Sequence, residues 1–275
     1  MVARKREDIL KRSREMERHR HKRRRLALAI TLVVFIGVVL IAVNLNSFAI
    51  KSVLVRGAES IPSGDIELLA REGTRGSYLY LVPRASIFFY PRAQLLSAIS
   101  TLSPRVASAR MHVTTRRILV IDITERAPRY VWCGTAHASS TEAKDENGCL
   151  YLDIAGFAFA HAFNAKGLPY PIFIIGTNTP ILERTALGPL VFAPLARFVD
   201  SLSPEVQRVE VEDERSEVFT TTGYRLIVNT YTDFESARRN LSVMLARPEI
   251  RERLSHGEVP EYIDLRVPEK IFYKF

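Results

Sequence analysis

LALAITLVVFIGVVLIAVNL, residues 26–45, is the stretch that decides how the rest of the chain is read. Its charge-free apolar run, Leu26 to Val43, is softened only by Thr31 and Gly37. At about 1.5 Å per helical residue the run spans roughly 27 Å, close to the thickness of a hydrocarbon core. Its apolar side chains point all round a helix, so it is not the face of a surface helix, and in lipid a helix satisfies its own backbone polar groups. A membrane-spanning helix is expected.

The flanks orient it. Residues 1–25 carry twelve Lys or Arg, whereas the next twenty residues after the run carry only Lys51 and Arg56. The positive-inside rule puts the short tail in the cytoplasm and the chain from Asn46 onward on the far side. A cleaved signal peptide is the competing reading, since Ser47-Phe48-Ala49 offers a small-x-small site. However, the apolar run exceeds the roughly 7–15 residues of a signal core, and the charged leader is long for one. An uncleaved, single-pass anchor is the reading taken forward.

The net charge of +9 is concentrated in that tail. The first 25 residues hold twelve basic and four acidic side chains, leaving 27 basic against 26 acidic in the remaining 250. A basic run beside a membrane serves topology and attracts anionic headgroups. No helix-turn-helix, RNP-like or zinc-knuckle pattern supports a nucleic-acid partner. The outer portion is long enough for two domains, each with its own core.

Both cysteines, Cys133 and Cys149, lie in that outer portion and bracket the polar stretch Gly134 to Gly148. If Tyr130–Cys133 and Cys149–Leu152 are paired strands, a bridge would close a hairpin loop and add about 3 kcal/mol in the chain-entropy model. Two small buried side chains that never meet fit the sequence equally well.

From residue 48 to 126 the periodicity is informative. Val53 and Val55 alternate with Leu54 and Arg56 before Gly57, predicting a strand. Ser60-Ile61-Pro62-Ser63 offers capping chemistry for a helix carrying Ile66, Leu69 and Ala70 and ending at Gly73. Tyr78 to Tyr90 is aromatic and contains Pro83, and is assigned no regular structure. Pro91 opens a second helix, with Leu95, Leu96 and Ile99 on one face. Val106–Val113 and Arg117–Glu125 both alternate as strands around a turn at Thr114-Thr115-Arg116. A small sheet with both helices on one face is the economical packing.

Beyond residue 127, Pro194–Leu202 reads as a helix, and Val206–Val211, Ser216–Thr221 and Tyr224–Val228 as successive strands. Asp233 caps a helix carrying Phe234, Ala237, Leu241, Met244 and Leu245, which stops before Pro248. Glu261–Val267 and Lys270–Phe275 form a closing hairpin around Pro268-Glu269. The expectation is α+β: a single transmembrane helix, a βααββ unit and a mostly antiparallel α+β domain.

Taken in order, these pieces resemble the FtsQ/DivIB family of cell-division proteins. The resemblance is carried by the βααββ order after a single anchor, Ile50-x-x-Val53-x-Val55-x-Gly57, Pro104-Arg105-Val106 and Thr124-Glu125-Arg126-Ala127-Pro128. It continues through Val131-Trp132, the D-x-x-G turn of Asp153 and Gly156, and the final hairpin. It implies a cytoplasmic tail at 1–25, a transmembrane helix at 26–45, a POTRA domain at 48–126 and an FtsQ-type β domain at 127–275. Three features depart from the family pattern: the long aromatic span Ser77–Pro91, the proline-free turn Thr114–Arg116, and the cysteine pair.

No catalytic set emerges. His112, His137, His161 and His256 lie apart on polar or flanking positions, and His137 near Cys133 lacks an orienting third group. Asp145-Glu146-Asn147-Gly148 lacks the spacing of a calcium loop, and there is no phosphate-binding glycine motif. The expectation is a non-enzymatic protein without cofactor, metal or small-molecule substrate. The candidate site is the last strand, Ile271, Phe272, Tyr273, Lys274 and Phe275, whose backbone could template a partner strand at a sheet edge. The resemblance implies FtsB/FtsL-like division partners there and a place in the cell membrane at the division septum. A membrane-anchored POTRA protein that chaperones or transports polypeptides is the alternative.

Overall fold

A computed structural model describes residues 24–42, 44, 46–134, 148–163, 169–176, 180–202 and 205–275. The basic tail before Arg24, most of the loop between the cysteines, His137 and the Asp145–Asn147 stretch lie outside the described residues. Helix α1 (Arg24–Ala42) is long and apolar enough to cross a membrane, and most of its side chains are exposed. The chain divides into two compact units, residues 1–100 with 108–123, and 101–107 with 124–275.

In the first unit, β1 (Ser52–Arg56) leads through α2 (Ser63–Gly73), the two-residue strands β2 (Ser77–Tyr78) and β3 (Val82–Pro83) and α3 (Arg92–Leu102) to β4 (Val106–Val113) and β5 (Ile118–Glu125). The first, fourth and fifth strands form a sheet in the order β1-β5-β4. β1 runs parallel to β5, with Val53 opposite Leu119 and Val55 opposite Ile121. Leu119, Val120, Ile121 and Ile123 are buried on β5, and Ile66 and Ala70 on α2 and Leu95 and Ile99 on α3 are buried one helical turn apart. Gly57 has φ +74, and a Cβ there would overlap the Ile123 carbonyl oxygen, so only glycine ends β1 this close to β5.

The ends of α2 add one detail to the periodicity reading. The N-cap position of α2 is held by Pro62, which makes no side-chain cap hydrogen bond. The helix ends at Gly73, as its spacing predicts, and a Cβ there would overlap the Leu95 side chain, so the glycine also serves helix contact.

The second unit is built on a nine-stranded mixed sheet, ordered β14-β13-β12-β11-β10-β9-β6-β7-β8 among the described residues. Its strands are β6 (Tyr130–Cys133), β7 (Cys149–Leu152), β8 (Ala158–His161), β9 (Ile172–Ile175), β10 (Val206–Glu212), β11 (Arg215–Thr220), β12 (Arg225–Asn229), β13 (Tyr262–Asp264) and β14 (Phe272–Lys274). Most neighbouring pairs are antiparallel; β9 is parallel to both β6 and β10, and β12 to β13. Helices α4 (Pro189–Leu202), α5 (Phe234–Leu245) and α6 (Pro248–Ser255) share its main core, where the Tyr130, Phe173 and Phe192 rings meet at 5.4–5.6 Å. Asp233 caps α5 through the amides of Glu235 and Ser236.

Sequence reasoning starts α4 at Pro194, but it begins at Pro189. Pro189 occupies a helix start, where its missing N–H costs nothing, and Pro194 sits inside the helix. β9 lies at the middle of the sheet and α6 follows α5 directly; neither is marked by the periodicity. On the sheet's other face, register sets Cys133 opposite Cys149, and the two are joined by a disulfide within a small cluster with Val131 and Ala162.

Candidate functional site

The candidate strand β14 is the outermost strand at one end of the nine-stranded sheet. Among the described residues it pairs only with β13, setting Phe272 opposite Asp264, Tyr273 opposite Ile263 and Lys274 opposite Tyr262. The turn that aims it is Pro268-Glu269, with Glu269 in the left-handed region at φ 62. Pro presets the turn and the left-handed residue reverses the chain.

The five candidate residues do three different things. Ile271 and Phe275 are half-buried and pack against the main core, and the Arg253 guanidinium lies 3.8 Å from the Phe275 ring centre. They hold the strand in place. Phe272 and Tyr273 are 53% and 42% exposed, leaving aromatic surface at the edge. Lys274 Nζ is 2.7 Å from Glu261 Oε2 across the hairpin. This hydrogen bond and charge hold the Glu261 carboxyl below the usual carboxylate range and raise the Lys274 ammonium, so the pair stays ionised at neutral pH. Burial pushes the Asp264 carboxyl up, but the guanidinium and backbone amide of Arg266 together outweigh it and hold the group below its ordinary value. Arg225 continues the charges inward, 3.1 Å from Glu217 and 3.8 Å from Glu261.

The arrangement offers a strand edge with two aromatic side chains beside a charged ladder. That is equipment for binding an extended chain, with backbone pairing for affinity and side-chain pockets for selection. Sequence reasoning lacked the flanking ladder, because Glu217, Arg225 and Glu261 come together only through the register of three strands. Among the described residues, no group of three or more His, Cys, Asp or Glu is placed to hold a metal ion. His112 lies 3.4 Å from Asp122 on the exposed face of the small sheet, and His161 is exposed.

A second constellation is structural. Arg126 follows β5 and reaches Asp153 at the turn between β7 and β8. Its Nε donates to the Pro104 carbonyl at 3.1 Å and its guanidinium lies 4.3 Å from the Phe157 ring centre. Asp153 also accepts from the amides of Ala155 at 2.9 Å and Phe157 at 3.0 Å. Gly156 completes the turn at φ +78, where a Cβ would meet the Phe192 ring at 2.7 Å. Asp153 and Gly156 are turn residues, as the sequence suggested.

Comparison of the chain with protein-family models and with curated proteins finds no match to either.

Proposed function

We propose that the chain is a bitopic scaffold of bacterial cell division, resembling FtsQ/DivIB proteins, that acts by binding and not by catalysis. Helix α1 spans the membrane, with the basic tail in the cytoplasm and both compact units outside. The βααββ unit is a POTRA-like docking domain, and the larger unit is an FtsQ-type β domain. The β14 edge takes a strand from a small bitopic division protein of the FtsB/FtsL kind. This helps to assemble septal wall synthesis.

The observation that carries the reading is the outermost position of β14, with Phe272 and Tyr273 exposed and no strand on its far side among the described residues. An open edge with aromatic side chains is what strand addition requires. The strand order of the small unit and the Arg126–Asp153–Gly156 constellation support the family likeness, since they use the residues on which it rests.

The test is co-purification from dividing cells. Full-length chain lacking Ile271 to Phe275 is expected to lose its FtsB-like partner and remain in the membrane fraction. Because Ile271 and Phe275 also pack inward, Phe272→Lys with Tyr273→Asp serves as the folded control. Unchanged co-purification with both variants would remove the edge from the account.

A further inference from the structure

The aromatic span between α2 and α3 is where the first unit keeps its most exposed large apolar residues outside α1. Leu79, Tyr80 and Leu81 are 87%, 98% and 55% exposed at the tip of the β2–β3 hairpin, and Phe88 and Phe89 continue the apolar surface. The tip is a tight turn in which the Leu81 amide donates to the Tyr78 carbonyl at 2.9 Å. Its two central residues, Leu79 at φ 49 and Tyr80 at φ 61, are both left-handed. Such positions ordinarily take Asn-Gly, because a Cβ is sterically disfavoured there. A turn standing in water has no use for Leu and Tyr at these places.

The fold sets this tip at the end of α1. Asn44 Nδ2 donates to the Leu40 carbonyl of the helix at 2.9 Å and to the Leu81 carbonyl of the tip at 2.8 Å. Leu40, Ile41, Asn44, Tyr80 and Leu81 line one open cleft. The chain leaving the helix is then hydrogen-bonded along the same span. Ile50 N donates to Ala85 O at 2.8 Å, Ile87 N donates to Phe48 O at 2.9 Å, and the Phe48 and Phe88 rings lie 5.6 Å apart. The hairpin is thereby held level with the last turn of the apolar helix.

We infer that the Leu79-Tyr80-Leu81 tip is a membrane-interface anchor, seated in the headgroup and acyl boundary of the leaflet that α1 enters on the outer side. The inference rests on α1 spanning the bilayer, as proposed above. Leu79 and Leu81 supply apolar insertion, and Tyr80 supplies a ring with a polar end, the chemistry favoured at membrane interfaces. Arg84, 5.1 Å from the Tyr78 ring centre at the hairpin base, places a cation on the headgroup side. With two attachments to lipid, the first unit is held at a fixed orientation to the membrane in place of swinging on a single tether.

The test uses full-length chain in phosphatidylcholine nanodiscs with lipids brominated at chosen acyl depths. Tyr80→Trp is the probe, the parent spectrum supplies the Trp132 background, and Tyr231→Trp is an exposed control on the other unit. Tip emission is expected to be blue-shifted and reduced by about half or more, most strongly by bromines nearest the headgroups, with Tyr231→Trp unaffected. Unquenched, water-like emission at position 80 overturns the anchor. So does a blue shift without quenching, which would mean that a second copy or another protein covers the tip. Val34→Trp separates the two readings. If it is quenched by deep bromines and the tip is not, the span stands and the anchor fails; if it too is unquenched, the spanning reading fails and takes the anchor with it.

Discussion

Replacing Arg126 by Ala should destabilise the larger unit well beyond what a surface arginine does. The Arg126 and Asp153 side chains are only 24% and 10% exposed, so the change leaves a largely buried carboxylate without its cation. Breaking a buried pair by removing one partner costs about 3–5 kcal/mol. Asp153 retains the Ala155 and Phe157 amides, which compensate part of that loss, while the Pro104 hydrogen bond and the Phe157 ring contact go with the guanidinium. The expected cost is about 2–3 kcal/mol. Arg126→Lys should lie in between, since it keeps the charge but loses the flat stacking group and the Nε donor. Arg238, exposed and 3.6 Å from Glu235, is the control, and Arg238→Ala should cost less than about 0.5 kcal/mol. The assay is urea unfolding of the full chain in detergent, followed by Trp132, the single tryptophan, buried in the larger unit. If Arg126→Ala unfolds at the same urea concentration as Arg238→Ala, the buried-pair reasoning is wrong.

Three further outcomes follow from the same geometry. Gly156→Ala puts a Cβ 2.7 Å from the buried Phe192 ring at a φ of +78, and should cost about 2–4 kcal/mol in the same urea assay. Burial, reinforced by the Asp200 carboxylate 2.9 Å from its hydroxyl, raises the Tyr130 phenol from its ordinary 10.0 to about 12. The neutral phenol is favoured in the folded state, so its contribution to stability is complete below pH 10 and is lost as pH rises toward 12; Tyr130→Phe should flatten that alkaline decline. Reduction of Cys133–Cys149, which closes a separation of 16 residues, should lower the stability of the larger unit by about 3 kcal/mol, read as an earlier urea midpoint in dithiothreitol.

Much of the architecture was legible because its elements alternate strongly. β1, β4, β5 and β10 to β12 lie close to where period-two patterning sets them, and Asp233 marks the start of α5 as capping chemistry requires. β9 went unread because Ile172-Phe173-Ile174-Ile175, covered on both faces, has no alternation and is too short to be told from any other apolar tetrad. The β2–β3 hairpin was hidden for a different reason. Its turn uses Leu79 and Tyr80 where turn rules look for Asn or Gly, so the local signal contradicted the structure. At the candidate site, the apolar character of Phe272 and Tyr273 was visible in the sequence. That Ile271 and Phe275 are half-buried while Phe272 and Tyr273 stay exposed depends on packing against Arg253 and the main core, which no local pattern encodes.

The central claim is that the β14 edge receives a strand from a division partner. Site-specific photocrosslinking in dividing cells tests it most directly, with benzoylphenylalanine at Phe272 or Tyr273 of the full-length chain and at exposed Tyr231 as control. The expected result is a covalent adduct with a small single-pass division protein from the two edge positions and none from position 231. Edge positions that give no adduct, or the same products as position 231, would contradict it.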